Sequence, residues 1–161
     1  MLKKERVLEC IKWCLDERME MARKAALQAY EQATSQETIA ENKYDTFGLE
    51  ASYLAHGQSQ RVIECENDVS VFSKEMAVYK ENHSLIRVGS LVALLNQDDE
   101  TIHFFISPVA GGTNLVCDGV SIMLLSMTSP MGNSLLGKEE GDEIELNAIH
   151  THKMYEIEYC L

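Results

Sequence analysis

Glycine and proline are distributed very unevenly along the 161 residues of this chain. Residues 1–80 contain no proline and only two glycines, Gly48 and Gly57, whereas both prolines and seven of the nine glycines lie within residues 85–161. Because these two residue types punctuate turns and interrupt helices, the first part is predicted to be helical and the second to be a turn-rich sheet. The sequence therefore predicts two domains, residues 1–80 and 81–161.

Apolar residues in the first domain recur at spacings of three and four, which indicates two long helices. The first is predicted from about Leu2 to Ala33, with a stripe formed by Val7, Ile11, Cys14, Met21, Ala25 and Ala29. The second has the seam of a coiled coil, formed by Val62, Cys65, Val69, Phe72, Met76 and Tyr79. A polar segment near residues 34–46 joins them into an antiparallel hairpin. Such a hairpin either projects as an arm or folds as an ordinary layer over the sheet.

The second domain contains β-branched or alternating runs bounded by turn residues, which are typical of strands. The predicted strands are Val88–Leu95, Thr101–Ser107, Val120–Thr128, Glu143–Ala148 and Tyr155–Leu161. Residues 96–100 are predicted to form a hairpin turn, and Ser129 is predicted to start a turn into a short helix that ends at Gly137. The predicted fold class is α+β: a helical hairpin followed by an antiparallel sheet domain.

Composition and charge limit the classes of function. The formal net charge is −12 and the pI about 4.8, which argues against autonomous nucleic-acid binding and fits a protein partner or a cation. No run approaches the length of a membrane span, and no apolar segment follows the charged N-terminus. The five cysteines are odd in number and scattered, so we expect a cytoplasmic protein in which most of them are reduced and buried.

Negative charge is concentrated between the two predicted helices. Residues 25–60 carry a single basic residue, Lys43, against five acidic ones, namely Glu31, Glu37, Glu41, Asp45 and Glu50. Carboxylates at the start of a helix favour its dipole, which is one explanation for Glu41 and Asp45. The other explanation is coordination of a hard divalent cation such as Mg²⁺ at an exposed loop.

The C-terminal half carries a distinctive run, Ser129-Pro130-Met131-Gly132-Asn133-Ser134-Leu135-Leu136-Gly137-Lys138, followed by Gly141-Asp142-Glu143-Ile144. This run resembles the C-terminal domain of the bacterial Gre transcript-cleavage factors and their relative Rnk. The resemblance implies an FKBP-like fold that docks on RNA polymerase. It implies docking through Ser129, Pro130 and Met131, with Gly132 shaping the turn. Alternatively, Pro130 and Gly132 only shape a turn, and we expect Leu135 and Leu136 to be core residues.

The segment Glu41-Asn42-Lys43-Tyr44 resembles the acidic tip of the same family. In the family, the coiled coil enters the secondary channel of RNA polymerase, where tip carboxylates share Mg²⁺ with the polymerase and activate a water that cleaves backtracked RNA. Glu41 and Asn42 match family positions, and the resemblance implies that Asn42 is one of the residues that bind the polymerase. The family aspartate is replaced by Thr38, whose hydroxyl is not an anionic ligand. The resemblance implies that Glu41 is the primary metal ligand, with Asp45 or Glu37 as its partner in supporting catalysis.

The leading hypothesis is a Gre-like elongation factor that binds the secondary channel and rim of RNA polymerase, and that stimulates RNA cleavage or competes with cleavage factors. It would be a monomer or weak dimer, and not an enzyme by itself, with no cofactor beyond Mg²⁺ shared with the polymerase. The alternative is a Rnk-like interaction module whose coiled coil binds a different partner or dimerises. A prolyl isomerase is a third, less favoured reading, because fold alone does not give function.

Other residue patterns have a structural and a functional interpretation. Cys10 and Cys14 share a helix face and favour packing over metal binding, since no second ligand pair has suitable spacing. His150 and His152 are expected to be exposed to solvent and not to bind a metal ion. Cys65 is expected to be a core residue and not a catalytic nucleophile. Residues 111–114 are rich in glycine, but no lysine or helix signal follows them, which disfavours a phosphate loop.

Overall fold

The computed structural model describes residues 2–35, 39–148 and 151–161. Its elements, in chain order, are α1 (Lys4–Thr34), α2 (Phe47–Tyr79), β1 (Leu91–Asn96), β2 (Thr101–Ser107), β3 (Asn114–Cys117), β4 (Val120–Ser126), α3 (Pro130–Leu135), β5 (Glu143–Ala148) and β6 (Thr151–Cys160). The predicted α+β class, with a helical N-terminal region and a C-terminal sheet, is confirmed. Among the helices that the structure describes, none is both long and apolar enough to cross a membrane.

The chain forms two compact units. The helical unit is Trp13–Ser70, and the sheet unit comprises Met1–Lys12 together with Val71–Leu161. The sequence placed a boundary after residue 80, where α2 ends. Packing instead divides each long helix, because the start of α1 and the last turns of α2 are buried within the sheet unit.

Within the helical unit, the two helices run antiparallel. Arg23 Nη2 of α1 lies 2.9 Å from Glu66 Oε1 of α2. Burial raises the pKa of Asp68 above its ordinary value, and the nearby positive charge of Arg18 opposes that rise. Arg18 is thus near residue 68 and Arg23 near residue 66. The residue numbers on α2 decrease as those on α1 increase, as they do in an antiparallel pair of helices.

Small residues line the inward side of the helical unit. Ala22, Ala29 and Cys65 are each less than 10% exposed. On α2, all six predicted seam residues are buried or partly buried. Only Val62, Cys65 and Val69 belong to the helical unit, however, whereas Phe72 and Tyr79 pack against Phe105 of the sheet. On α1, the predicted stripe is only partly right: Met21 is 64% exposed, and the buried line instead passes through Leu15. Residues 15, 22 and 29 repeat every seven positions, whereas residue 21 is rotated away from that line by about 100°.

The six strands form a single sheet in the order β3-β4-β2-β1-β6-β5. Every neighbouring pair is antiparallel except β2 and β4, which are parallel, with Phe105 opposite Leu124. The sheet is therefore mixed, where the sequence predicted an antiparallel one. The reason is β3, a four-residue edge strand that the sequence analysis missed. It pairs with β4 as a hairpin, and this returns β4 alongside β2 in the same direction.

The main core lies on one face of the sheet. It comprises Ile86, Val92, Leu94, Phe104, Ile106, Leu125, Leu135, Ile144, Tyr155 and Ile157. The intervening residues of the strands point to the other face. There Phe105 of β2 meets two aromatic residues of α2: its ring centroid lies 6.1 Å from that of Phe72 and 6.2 Å from that of Tyr79.

A buried lysine joins the start of α1 to the chain after α2. Lys4 is 6% exposed, and its Nζ donates a hydrogen bond to the backbone oxygen of Glu81 at 2.7 Å. Burial lowers the pKa of Lys4 from 10.5 to about 8, and the positive charge of Arg87 acts in the same direction. The charged ammonium is thus disfavoured in the folded state.

This shift predicts a pH-dependent contribution to stability. Between pH 8 and pH 10.5 the unfolded chain binds the Lys4 proton and the folded chain does not, so the free energy of unfolding rises with pH in that window. We expect the stability difference between wild type and Lys4→Met to shift in favour of wild type by about 2 kcal/mol from roughly pH 7.5 to roughly pH 9.5. Denaturant unfolding of both proteins measures it, and a difference independent of pH would contradict the shift.

Candidate functional site

The acidic loop, residues 39–46, is organised by the carboxylate of Asp45. Asp45 Oδ2 accepts the backbone N–H of Glu41 at 3.2 Å, and Oδ1 accepts that of Phe47 at 3.1 Å. Since Phe47 is the first residue of α2, one of these bonds satisfies a free N–H group of the helix start. Asp45 therefore has a structural role that explains its place in the chain.

Further side-chain bonds close the same loop. Asn42 Oδ1 accepts the Tyr44 N–H at 2.9 Å, and Thr46 Oγ1 donates to Glu50 Oε1 at 2.9 Å. The backbone oxygen of Thr46 accepts the N–H of Glu50, which is the first helical bond of α2. The loop thus consists of consecutive turns held by hydrogen bonds between nearby residues. Asn42, which is predicted to bind the partner, stabilises one of these turns.

The loop brings together two of the three residues predicted to support catalysis. The Asp45 carboxylate accepts the backbone N–H of Glu41, and the Glu41 residue is exposed to solvent. The third, Glu37, lies outside the described residues, as does Thr38. Within the described ranges there is no group of three or more residues that could hold a metal ion. The roles of Glu41 and Asp45 as metal ligands stay predictions.

The second predicted site lies at the start of α3, where Ser129 is the N-cap. Its Oγ accepts the N–H of Gly132 at 3.1 Å and donates to the backbone oxygen of Ser126 at 2.7 Å. Pro130 occupies the first turn, where a missing N–H costs nothing. Ser129 and Pro130 therefore together define the start of α3.

Gly132 is required for a different reason. A Cβ at this position would overlap the backbone oxygen of Ser126, at the end of β4. That oxygen already accepts the Ser129 hydroxyl, so it cannot simply move aside. Only glycine lets α3 approach the strand this closely. Leu135 of the same helix is fully buried and Leu136 packs against the core, which confirms both as core residues.

The end of the same sequence run pairs with the segment before β1. The N–H of Gly137 donates to the backbone oxygen of Ile86, and the N–H of Ile86 donates to the backbone oxygen of Lys138, both at 2.8 Å. Gly137 has φ +76, which favours glycine. Most residues of the Ser129–Lys138 run therefore have a structural role. The part played by Ile86 was missed, because the bond is long-range and has no sequence signal.

The exposed part of α3 is small. Pro130 and Asn133 are exposed, and Met127 just before the helix is 40% exposed. Met131 is partly buried against the core. Of the predicted docking residues, Pro130 therefore offers the most accessible surface, whereas Ser129 and Gly132 are occupied in shaping the turn.

The cysteines differ from the expectation that packing accounts for them. Cys10 and Cys117 form a disulfide, with their Cα atoms 6.0 Å apart. Cys14, expected to share a packing face with Cys10, is a partly exposed free thiol, and burial raises its pKa. Cys65 is a buried core residue as predicted. The predicted exposure of His150 and His152 concerns side chains outside the described part of the structure.

Comparison with known proteins identifies the class of the sheet domain. Residues 81–160 match the family described as "Transcription elongation factor, GreA/GreB, C-term". Through this domain the chain belongs to the GreA/GreB family.

Relatives named Transcription elongation factor GreA extend the match. The protein of Sulfurovum sp. (strain NBC37-1) is 41% identical over 81 residues, which is 50% of this chain and 46% of that relative. This chain thus matches about half the length of that protein. The protein of Brucella canis is 28% identical over 153 residues, covering 95% of this chain and 89% of the relative.

Two solved structures are also similar over most of the chain. "Structure of the transcription factor Gfh1" aligns at 19% identity and a TM-score of 0.40, covering 92% of both chains. The GreA factor homolog 1 (Gfh1) of Thermus thermophilus aligns at 22% identity and a TM-score of 0.39, covering 93% of this chain and 94% of that one.

Substitution by alanine is predicted to have opposite effects at two helical glycines, Gly132 and Gly57. Gly132→Ala is expected to lower the free energy of unfolding by about 2–3 kcal/mol, because its methyl group would overlap backbone. Gly57→Ala, in the interior of α2 with nothing within 4 Å of the added methyl, is expected to raise the stability of the helical unit by about 0.5–1 kcal/mol. Denaturant unfolding of both variants provides the measurement. Equal effects of the same sign would show that the overlap at Gly132 is relieved.

Proposed function

We propose that this protein is a Gre-type transcription elongation factor that binds RNA polymerase and places its acidic loop in the secondary channel. The observation that carries the proposal is the match of residues 81–160 to the GreA/GreB C-terminal family. The N-terminal region supports it, since two helices of 31 and 33 residues flank a loop that carries Glu41 and Asp45. Relatives named as GreA align with this region as well.

The carboxylates of the acidic loop favour one mode of action. Glu41 is exposed, whereas both oxygens of Asp45 already accept backbone N–H groups that hold the start of α2. Using Asp45 as a strong metal ligand would weaken these bonds. Glu41 and Asp45 have the hard oxygen chemistry that suits Mg²⁺, but two carboxylates leave most of its octahedral shell unfilled. They fit an ion only if the polymerase supplies the rest of the site.

We therefore propose that the protein competes with cleavage factors for the channel more effectively than it stimulates cleavage. Thr38, at the position of an acidic ligand in the family pattern, supports this view, because a neutral hydroxyl binds a divalent cation more weakly than a carboxylate. The net charge of −12 also disfavours direct nucleic-acid binding and supports a protein partner.

The first test is RNA cleavage in a backtracked bacterial RNA polymerase complex. The protein alone is expected to shorten the transcript little, and to slow cleavage by an added Gre factor as its concentration rises. Glu41→Ala is expected to compete as well as wild type, because docking does not depend on this carboxylate. Asp45→Ala removes the two loop bonds and should weaken competition severalfold by loosening the start of α2.

Either of two results would contradict competition. Efficient cleavage by wild type that is lost in Glu41→Ala would make the protein a cleavage factor with a working carboxylate. Absence of both cleavage and competition would refute the channel proposal as a whole.

Docking through α3 predicts a matched pair of variants. Pro130→Asp places a charge on the exposed first turn, where aspartate is compatible with a helix start, and is expected to weaken polymerase binding about tenfold. Gln97→Asp adds the same charge in the β1–β2 turn and is expected to bind like wild type. Binding of labelled protein to core polymerase measures both. Equal affinities would exclude α3 from the interface.

A second candidate function rests on the surface of the helical unit. Tyr44, Tyr53 and Ile63 are 79%, 69% and 57% exposed, and such side chains mark an interaction surface where they form one contiguous patch. A Rnk-like module that binds another protein or dimerises through its helices would use them. Sedimentation of the free protein, with Tyr53→Ser and Ile63→Ser as variants, distinguishes a dimer from a monomer.

A further inference from the structure

Two cysteines that are 107 residues apart in sequence are joined within the sheet unit. Cys10 lies in the early part of α1, and Cys117 is the last residue of the edge strand β3. Their Cα atoms are 6.0 Å apart, a separation that a disulfide spans without backbone movement. The proposed function uses neither residue.

The two cysteine residues differ in exposure to solvent. Cys117 is fully buried, whereas Cys10 is partly exposed. A small thiol or disulfide reagent from solution therefore reaches Cys10 first. Cys117 can react only with a sulfur that is already beside it, namely that of Cys10. This asymmetry is the arrangement of an attacking thiol and a resolving thiol.

Non-covalent contacts hold the same two segments together when the bond is absent. Arg6, one turn before Cys10, forms an ion pair with Asp118 at 3.4 Å, and Asp118 directly follows Cys117. The sulfur of Cys117 lies 3.6 Å from the backbone oxygen of Arg6. In the reduced protein its thiol can donate a hydrogen bond there, so the buried group keeps a partner. Both redox states are therefore compatible with one fold.

We propose that Cys10 and Cys117 form a reversible redox modification site whose co-reactant is a low-molecular-weight disulfide. The Cys10 thiolate attacks one sulfur of that reagent, a mixed disulfide forms, and one small thiolate leaves. The Cys117 thiolate then attacks the Cys10 sulfur, the intramolecular bond forms, and the second small thiolate leaves. The two protein thiols lose two electrons and two protons, and the reagent gains them as two small thiols.

The bond ties the early part of α1 to an edge strand that has only four residues and a single neighbour, β4. A short strand paired on one side is among the first parts of a sheet to detach. Oxidation therefore stabilises this corner of the sheet unit, and reduction leaves it held by the Arg6–Asp118 pair, which is more than half exposed and screened by water.

The test is equilibration of the whole protein in buffers of reduced and oxidised glutathione, followed by acid quenching and peptide mapping without reductant. A Cys14→Ser background removes the neighbouring thiol on α1. We expect a Cys10–Cys117 peptide whose fraction rises and falls with the glutathione ratio. We also expect the thermal midpoint of the oxidised form to lie above that of the reduced form by about 10 °C.

Two further variants separate this chemistry from a merely structural contact. Cys117→Ser is expected to retain glutathione on Cys10, because the resolving thiol is missing. Cys10→Ser is expected to leave the buried Cys117 unmodified. The proposal is overturned if the bond stays oxidised at every glutathione ratio, if no Cys10–Cys117 peptide forms, or if glutathione is found on Cys117 in preference to Cys10.

Discussion

The contact between two aromatic residues of α2 and the centre of the sheet is the interaction on which the sheet unit depends. Phe72 and Tyr79 are one heptad apart, so both point to the same side of the helix, where they meet Phe105 of β2. The Tyr79 ring also rests on Gly89, at a spot where any Cβ would overlap it. Because β2 lies between β4 and β1, this contact buries the middle of the sheet on the face away from the main core.

The start of α1 is buried within the sheet unit, and this changes the environment of Lys4 and Cys10. Lys4 enters a buried position and donates to Glu81, which costs free energy because the ammonium is desolvated and Arg87 repels it. Four residues beyond Arg6, Cys10 lies beside Cys117. Lys4 and the Cys10–Cys117 pair thus both lie where the start of α1 packs on the C-terminal half of the chain. The first is sensitive to pH, and in our proposal the second is sensitive to the ratio of thiol to disulfide in solution.

The Ser129–Lys138 run shows how a family signature can be mainly structural. Ser129 caps α3, Gly132 permits its close approach to β4, and Gly137 makes the turn that pairs with Ile86. These roles explain why the run identifies the fold so well. They also explain why it says less about activity, which in our proposal depends on Pro130 and on the acidic loop.

Local patterns in the sequence were sufficient for much of the fold. The strands over residues 101–107 and 143–148, the turn at Asn96 and the short helix from Pro130 were all predicted, because each depends on neighbouring residues. The inward face of α2 was predicted for the same reason, since one helix displays its own periodicity. β3 was missed because four residues after a glycine-rich turn carry too little pattern to stand out from a loop.

The sequence by itself determined most of the secondary structure, the start of α3, the turn glycines and the acidic loop, since these depend mainly on residues close together in the chain. Only the tertiary structure decided the parallel pairing of β2 with β4, the pairing of Cys10 with Cys117 and the depressed pKa of Lys4. Each of these joins or surrounds residues that are far apart in sequence. Their proximity and burial follow from the packing of the whole unit, which no local pattern records.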